Sequence, residues 1–252
     1  MAETWRSTSS EAALPIEAVV VDLDDTLFDH RRSARLGLFA FLERRGAPPL
    51  ERLADEWENT AAELMRRRLA GEFGRTEYRR RRILHLLEQV QETSGRGSMP
   101  QDEAALDALY TEYVDVYEAS WVGFPDAVPF LCGLRSANVP VAVLTNGPDD
   151  RQQRKMRALG CEELVVGTFS SDTIGCRKPD PRAYLTVCEA LGTAPPRVLH
   201  VGDDPELDMH GAVAAGLQAV HLDRGGATGT DPHRVEGLEM LVPLVLSAGS
   251  GS

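Results

Sequence analysis

The chain has 252 residues, 42% of them hydrophobic, and a formal charge of −12 at neutral pH. That length and apolar fraction allow one large core or two smaller ones. The negative balance counts against a general binder of nucleic acid or anionic membrane, which needs a net basic surface; it says little about a small anionic substrate.

Cys132, Cys161, Cys176 and Cys188 form no CxxC pair and no zinc-ligand spacing with a histidine, so reduced thiols are expected. No run is long and apolar enough to span a membrane, and Met1 to Pro15 lacks a signal-peptide core. A cytoplasmic setting is the resulting expectation.

Residues 1–15 are rich in Ser, Thr and Ala and read as a poorly ordered N-terminus. Val19-Val20-Val21-Asp22-Leu23-Asp24-Asp25-Thr26-Leu27-Phe28 follows. Its β-branched run lacks a polar face, as expected of a strand buried on both sides of a parallel sheet. It then breaks into carboxylates and a hydroxyl, and open α/β sheets bind their ligands at the carboxyl ends of strands. Asp22 and Asp24 point to one side while the chain is extended. The pair suits a hard divalent cation, a nucleophile with an acid/base partner, or a helix cap.

From Arg31 to Ala119 there is no convincing strand. Helices are predicted near 31–45, 50–70, 75–90 and 102–118, with apolar residues at helical spacing, as in Ile83, Leu84, Leu86, Leu87 and Val90. Gln91 to Pro100 reads as a mobile polar loop. Beyond Pro125, short apolar strands alternate with helices. The strands are Val139 to Leu144, Leu164 to Val166 with a continuation to Ser170, Val198 to Val201, and Gln218 to Leu222. The helices fall at about 126–137, 149–159, 180–191, 205–215 and 234–241. Such alternation indicates a parallel sheet covered on both faces. One α/β domain (16–29 plus 123–245) carrying an all-helical insertion (30–122) explains the order; 246–252 reads as a flexible tail.

Three further polar clusters follow apolar strands. Val143-Leu144-Thr145-Asn146-Gly147-Pro148 ends in a hydroxyl, an amide and a glycine before a helix N-terminus. That is a setting for oxyanions or an ordinary turn. In Gly175 to Pro181, Lys178 precedes a proline at a helix entry, where it supplies a point charge to a dianion or lies solvated. In His200 to Ala212, Asp203 and Asp204 end a strand and Asp208 follows within the next turn, although acids also cap helices. Stations at four strand ends should converge on one edge of the sheet.

Asp-Leu-Asp-Asp-Thr (22–26), Leu-Thr-Asn (144–146), Arg-Lys-Pro (177–179) and Gly-Asp-Asp-Pro-Glu-Leu-Asp (202–208) resemble, in order and spacing, the four motifs of the haloacid dehalogenase (HAD) superfamily. The match extends from about Ala18 to Arg224 and is most similar to the phosphatase branch that includes nucleotide and acylneuraminate-9-phosphate phosphatases. The resemblance implies a Rossmann-like parallel-sheet core with a helical cap of the C1 type. It also implies magnesium-dependent hydrolysis of a small phosphorylated metabolite.

By the same resemblance Asp22 is the nucleophile that becomes an aspartyl-phosphate. Asp24 shuttles the proton and lends its backbone carbonyl to the metal, Asp203 completes the magnesium site, and Asp208 stands behind it. Thr145, Asn146 and Lys178 hold the phosphoryl oxygens, with Lys178 also restraining the nucleophile. The superfamily's dehalogenases need no metal and lack the second acid, so Asp24 favours a phosphatase. A phosphosugar mutase shares these acids, and a non-catalytic HAD-like module would be expected to lack a station. Neither a nucleic-acid nor a membrane partner is expected.

Arg66-Arg67-Arg68 and Arg79-Arg80-Arg81-Arg82 lie in the insertion. Consecutive helical positions point all round the axis, so most of these must face solvent, leaving one or two to attract an anionic substrate.

Overall fold

A computed structural model describes residues 14–95, 99–225 and 233–249. The N-terminus read as poorly ordered therefore lies, through residue 13, outside the described residues. The chain forms two compact units, one made of the chain up to Asp29 together with that from Val122 onward, the other of His30–Trp121.

The helical unit consists of α1 (His30–Arg44), α2 (Glu51–Leu69), α3 (Arg75–Ser94) and α4 (Glu103–Ala119). Leu38, Phe41, Leu53, Trp57, Ile83, Leu86, Val90, Tyr113, Val116 and Tyr117 recur at helical spacing and close a single core. Asp102 caps α4 by accepting from Ala105 N–H at 2.8 Å.

The other unit is built on six parallel strands. They are β1 (Ala18–Val21), β2 (Val141–Thr145), β3 (Thr168–Ser170), β4 (Val198–Gly202), β5 (Gln218–Leu222) and β6 (Arg234–Val235), in the order β3-β2-β1-β4-β5-β6. Every residue of β1, β2 and β4 is buried, which explains why these strands lack polar alternation. Helices α5 (Ala127–Ser136), α6 (Asp149–Ala158), α7 (Ser171–Ile174), α8 (Pro181–Leu191), α9 (Gly211–Ala214) and α10 (Leu241–Gly249) connect or follow them. On one face Val20, Ala142, Leu144 and Ala219 pack with Ala183, Tyr184 and Val187 of α8. Successive strands leave β1 in opposite directions, so the switch point lies beside β1, where such sheets bind ligands.

Several expected boundaries move. Helix α3 runs on to Ser94 instead of ending near 90. Thr93 and Ser94 donate their hydroxyls back to the carbonyls of Gln89 and Val90, and Gly95 stops the helix at φ +62°. Of the predicted loop, 96–98 lie outside the described residues. Leu164 to Val166 is not a strand; Glu162–Leu164 is a single tight turn and β3 starts at Thr168. A strand, not a helix, begins at Arg234, and α10 continues to Gly249 into the segment read as a tail, of which 250–252 lie outside the described residues. The predicted helix at 205–215 is a wide π-type turn, Pro205–His210, followed by α9. Among the described residues no helix is long and apolar enough to cross a membrane. The four cysteines are free thiols, with Cys161 and Cys188 buried.

Candidate active site

The polar ends of β1, β2 and β4 meet at the switch point. At the end of β1, Asp22 N–H still donates to Val201 C=O at 2.8 Å, and the chain then turns sharply. Leu27 and Phe28 N–H donate to Leu23 C=O at 3.0 and 2.8 Å, while Asp25 takes φ +58°, a conformation Asp tolerates better than most residues. This turn fixes the directions of the two acids that flank Leu23.

Asp22 is buried, and Lys178 Nζ lies 2.5 Å from its Oδ1. The same ammonium lies 2.6 Å from Asp208 Oδ1. Asp208 is 1% exposed and fully engaged: His200 Nε2 lies 2.9 Å from Oδ1, and Asp204 N–H donates to Oδ2 at 3.1 Å. The π-type turn makes this possible, because it returns Asp208 to the sheet immediately after β4. Asp204 caps the turn, accepting from Glu206 and Leu207 N–H at 2.9 Å each.

Electrostatics distinguishes the buried groups. Burial pushes the Asp22 carboxyl well above the usual carboxylate range, with Lys178 opposing and the charges of Asp208 and Asp24 adding to the rise. Burial acts the same way on Asp208, but Lys178 and His200 outweigh it and hold that carboxyl well below the range. Lys178 is held above the ordinary lysine value because Asp22 and Asp208 overcome its own desolvation. Burial lowers His200, although Asp208 pulls the other way. A neutral imidazole donating from Nε2 fits its buried Nδ1, which has no hydrogen-bond partner.

Carboxylate oxygens of Asp22, Asp203 and Asp208 lie within 4.8 Å of one another. Hard oxygen donors of this kind suit magnesium, and three carboxylates exceed what the single Lys178 ammonium neutralises. The residues therefore fit a divalent cation. Asp22 and Asp203 are the natural side-chain ligands, since Asp208 already accepts on both oxygens. The Asp24 side chain lies outside this group; Lys155 Nζ pairs with its Oδ1 and Gln152 Nε2 donates to its Oδ2 at 2.8 Å.

Thr145 Oγ1 accepts from Gln152 Nε2 at 2.7 Å and from Gly147 N–H at 3.2 Å. Both lone pairs being engaged, its hydroxyl proton is left to donate, which suits an oxyanion. Asn146 is used differently from a side-chain ligand. Its Nδ2 donates to Lys178 C=O at 3.0 Å and its Oδ1 accepts from Lys178 N–H at 2.8 Å. The amide thus clamps the lysine loop, and Asn146 has its backbone N–H to offer a ligand.

Sequence reasoning missed Lys155, Gln152 and His200. A signal existed: the chain contains 25 arginines and only two lysines, Lys155 and Lys178. Gln152, Lys155 and Met156 are also the buried residues of the otherwise very polar α6, at helical spacing. The arginine runs are largely committed within the helical unit. Arg80 pairs with Asp107 and Glu103, Arg81 with Glu77, and Arg67 with Glu63 and Glu72. Arg82 stacks 3.8 Å from the Trp57 ring and Arg79 lies 5.5 Å from that of Tyr110.

A model of the haloacid dehalogenase-like hydrolases matches residues 16–216. The chain belongs to that family. This HAD-like hydrolase is 38% identical over 102 residues to a phosphoserine phosphatase from Thermus thermophilus, covering 40% of this chain and 41% of that protein. It therefore spans less than half of that relative's length. It is 30% identical over 211 residues to a ribulose-1,5-bisphosphate 5-phosphatase from Halopiger xanaduensis, covering 82% and 84% of the two chains. The magnesium-bound HAD-hydrolase YfnB from Bacillus subtilis shares the fold with a TM-score of 0.74 at 20% identity, covering 92% of this chain and 99% of that one. A dehalogenase does so with a TM-score of 0.66 at 26% identity, covering 91% and 96%. The HAD-like frame thus accounts for the convergence of four stations on one sheet edge.

Proposed function

We propose that this HAD-like hydrolase is a magnesium-dependent phosphatase that cleaves the phosphomonoester of a small metabolite through an aspartyl-phosphate on Asp22. The observation that carries the reading is the separate treatment of its two acids. Asp22 shares Lys178 with the oxygen cluster at the sheet edge, while Asp24 is held apart by Lys155 and Gln152. Two carboxylates in different surroundings suit a nucleophile and a proton shuttle. A dehalogenase, which the structural likeness brings into view, has no use for the second acid. The phosphatases among the relatives support the same choice.

Lys178 takes Oδ1 of Asp22 and leaves Oδ2 for attack on phosphorus. As that bond forms, the bond from phosphorus to the alcohol oxygen breaks and Asp24 transfers a proton to the departing oxygen. Water then attacks the aspartyl-phosphate at phosphorus, Asp24 takes its proton, and the bond to Asp22 breaks to release phosphate. Thr145 Oγ1, Asn146 N–H and Lys178 Nζ stabilise the phosphoryl oxygens. Asp22, Asp203 and the Asp24 backbone carbonyl would hold magnesium, which when bound offsets the negative charge of the phosphoryl group. We assign the choice of substrate to the helical unit, in keeping with the cap that the family resemblance implies.

The test is phosphate release from 4-nitrophenyl phosphate and from a panel of phosphorylated metabolites. Activity should vanish with chelator and in Asp22→Asn; turnover that survives both rejects the assignment. Product analysis with sugar phosphates separates hydrolysis from isomerisation.

A further inference from the structure

Both lysines of the chain are 2% exposed, and each is bound to one of the two acids flanking Leu23. The Lys178 contact belongs to the site described above. The Lys155 contact has no place in that scheme, yet a buried ammonium is costly unless something specific requires it. We propose that Lys155, with Gln152, is a positioning residue that fixes the Asp24 carboxyl in the orientation from which it protonates the leaving group. The inference rests on the phosphatase reading and deepens it.

Both Asp24 oxygens are gripped from one helix. Lys155 and Gln152 sit on adjacent positions of the buried face of α6, one on Oδ1 and the other on Oδ2. The carboxyl therefore cannot rotate without breaking a contact.

Gln152 Nε2 also donates to Thr145 Oγ1, so one carboxamide ties the proton shuttle to a hydroxyl assigned to the phosphoryl group. Its orientation is dictated, because the flipped amide would set Oε1 against a carboxylate. Gly147 provides the room: a Cβ there would lie 2.4 Å from Gln152 Nε2.

Lysine suits this position better than the arginine used elsewhere. Its Nζ lies 4.3 Å from the centroid of the Phe28 ring and faces one carboxylate oxygen, which accommodates a compact point charge. A guanidinium is a broad planar fork, a poorer match to a single carboxylate oxygen beside an aromatic ring. Phe28 itself is paired through its backbone with Asp24, so ring, ammonium and carboxyl form a single assembly.

A positioned acid matters in proportion to how badly the leaving group needs its proton. The experiment is therefore kcat/KM on a series of aryl phosphates, from phenyl phosphate to 4-nitrophenyl phosphate, whose phenolate departs readily unaided. Lys155→Met should lose about a hundredfold on phenyl phosphate and less than about threefold on 4-nitrophenyl phosphate, within the usual range for general-acid catalysis. Gln152→Ala should steepen the same dependence to a smaller degree, and it remains decisive if the methionine variant does not fold. Lys155→Arg should fall between wild type and Lys155→Met. A loss equal on every substrate, with or without a lower Tm, overturns the inference by reducing Lys155 to a structural or general electrostatic role. Failure of the phosphatase reading is separately visible, because wild-type turnover would then be absent or insensitive to Asp22→Asn.

Discussion

Gly202 lies so close to Asp208 that a Cβ on the glycine would fall 2.2 Å from Asp208 Cγ and Oδ2. The last residue of β4 is thus bare because the carboxylate organising Lys178 and His200 occupies the space beside it. Gly202→Ala should force Asp208 off those partners. Overpacking of this kind costs about 1–3 kcal/mol, and misplacing Lys178 by about an ångström costs roughly a hundredfold in rate. Urea denaturation and steady-state kinetics read the two effects, and an alanine variant with wild-type values in both would contradict the contact.

Lys178 bridges two buried carboxylates, so removing its charge leaves both uncompensated. Lys178→Met should destabilise the fold by about 3–5 kcal/mol and lower kcat by about a hundred- to a thousandfold. Arginine should not restore either property, because its planar fork cannot replace a point charge between two closely placed oxygens. Recovery of activity in Lys178→Arg would speak against that geometry.

Magnesium should bind the folded chain without substrate. At about one hundred times its Kd it should stabilise the protein by about 2.7 kcal/mol. Asp203→Asn should weaken this shift strongly. Denaturation with magnesium and with chelator measures it, and equal shifts in wild type and variant would remove Asp203 from the proposed ligand set.

Asp126 provides a pH-dependent test away from the reacting groups. Its Oδ1 accepts from Arg224 Nη2 at 2.9 Å, and its Oδ2 accepts from Arg224 Nη1 at 3.0 Å and Leu238 N–H at 2.9 Å. Burial raises its pKa, but these donors outweigh it and hold the carboxyl below the usual range. A depressed folded value means the stabilisation is complete above the unfolded pKa of about 3.9. It is lost as pH falls through the folded pKa. Asp126→Asn should therefore cost about 1–3 kcal/mol near pH 7, and the gap to wild type should close on acidification below about pH 4. A gap that is constant with pH would assign the effect to packing.

The parallel sheet was legible because Ala18–Val21, Val141–Thr145 and Val198–Gly202 are buried on both faces and so carry no competing period. Apolar character misled at Leu164 to Val166, where a tight turn ends at Leu164 and Val166 beyond it is 57% exposed. The two residues of β6 pair at the sheet edge through His221 and Leu222, a tertiary contact with no local signature. Asp22, Thr145, Lys178 and Asp203 stood out because each ends or follows a recognisable motif. Lys155 did not, since it reaches Asp24 across 131 positions of sequence from a helix whose polar composition hides its buried face.

The scarcity of lysine has a practical consequence. Acylating reagents that modify side-chain amines have only Lys155 and Lys178 as targets, and the folded chain shields both. Slow acylation of either therefore reports transient opening around Asp22 or Asp24, turning ordinary amine labelling into a footprint of the proposed catalytic centre with almost no background from the rest of the surface.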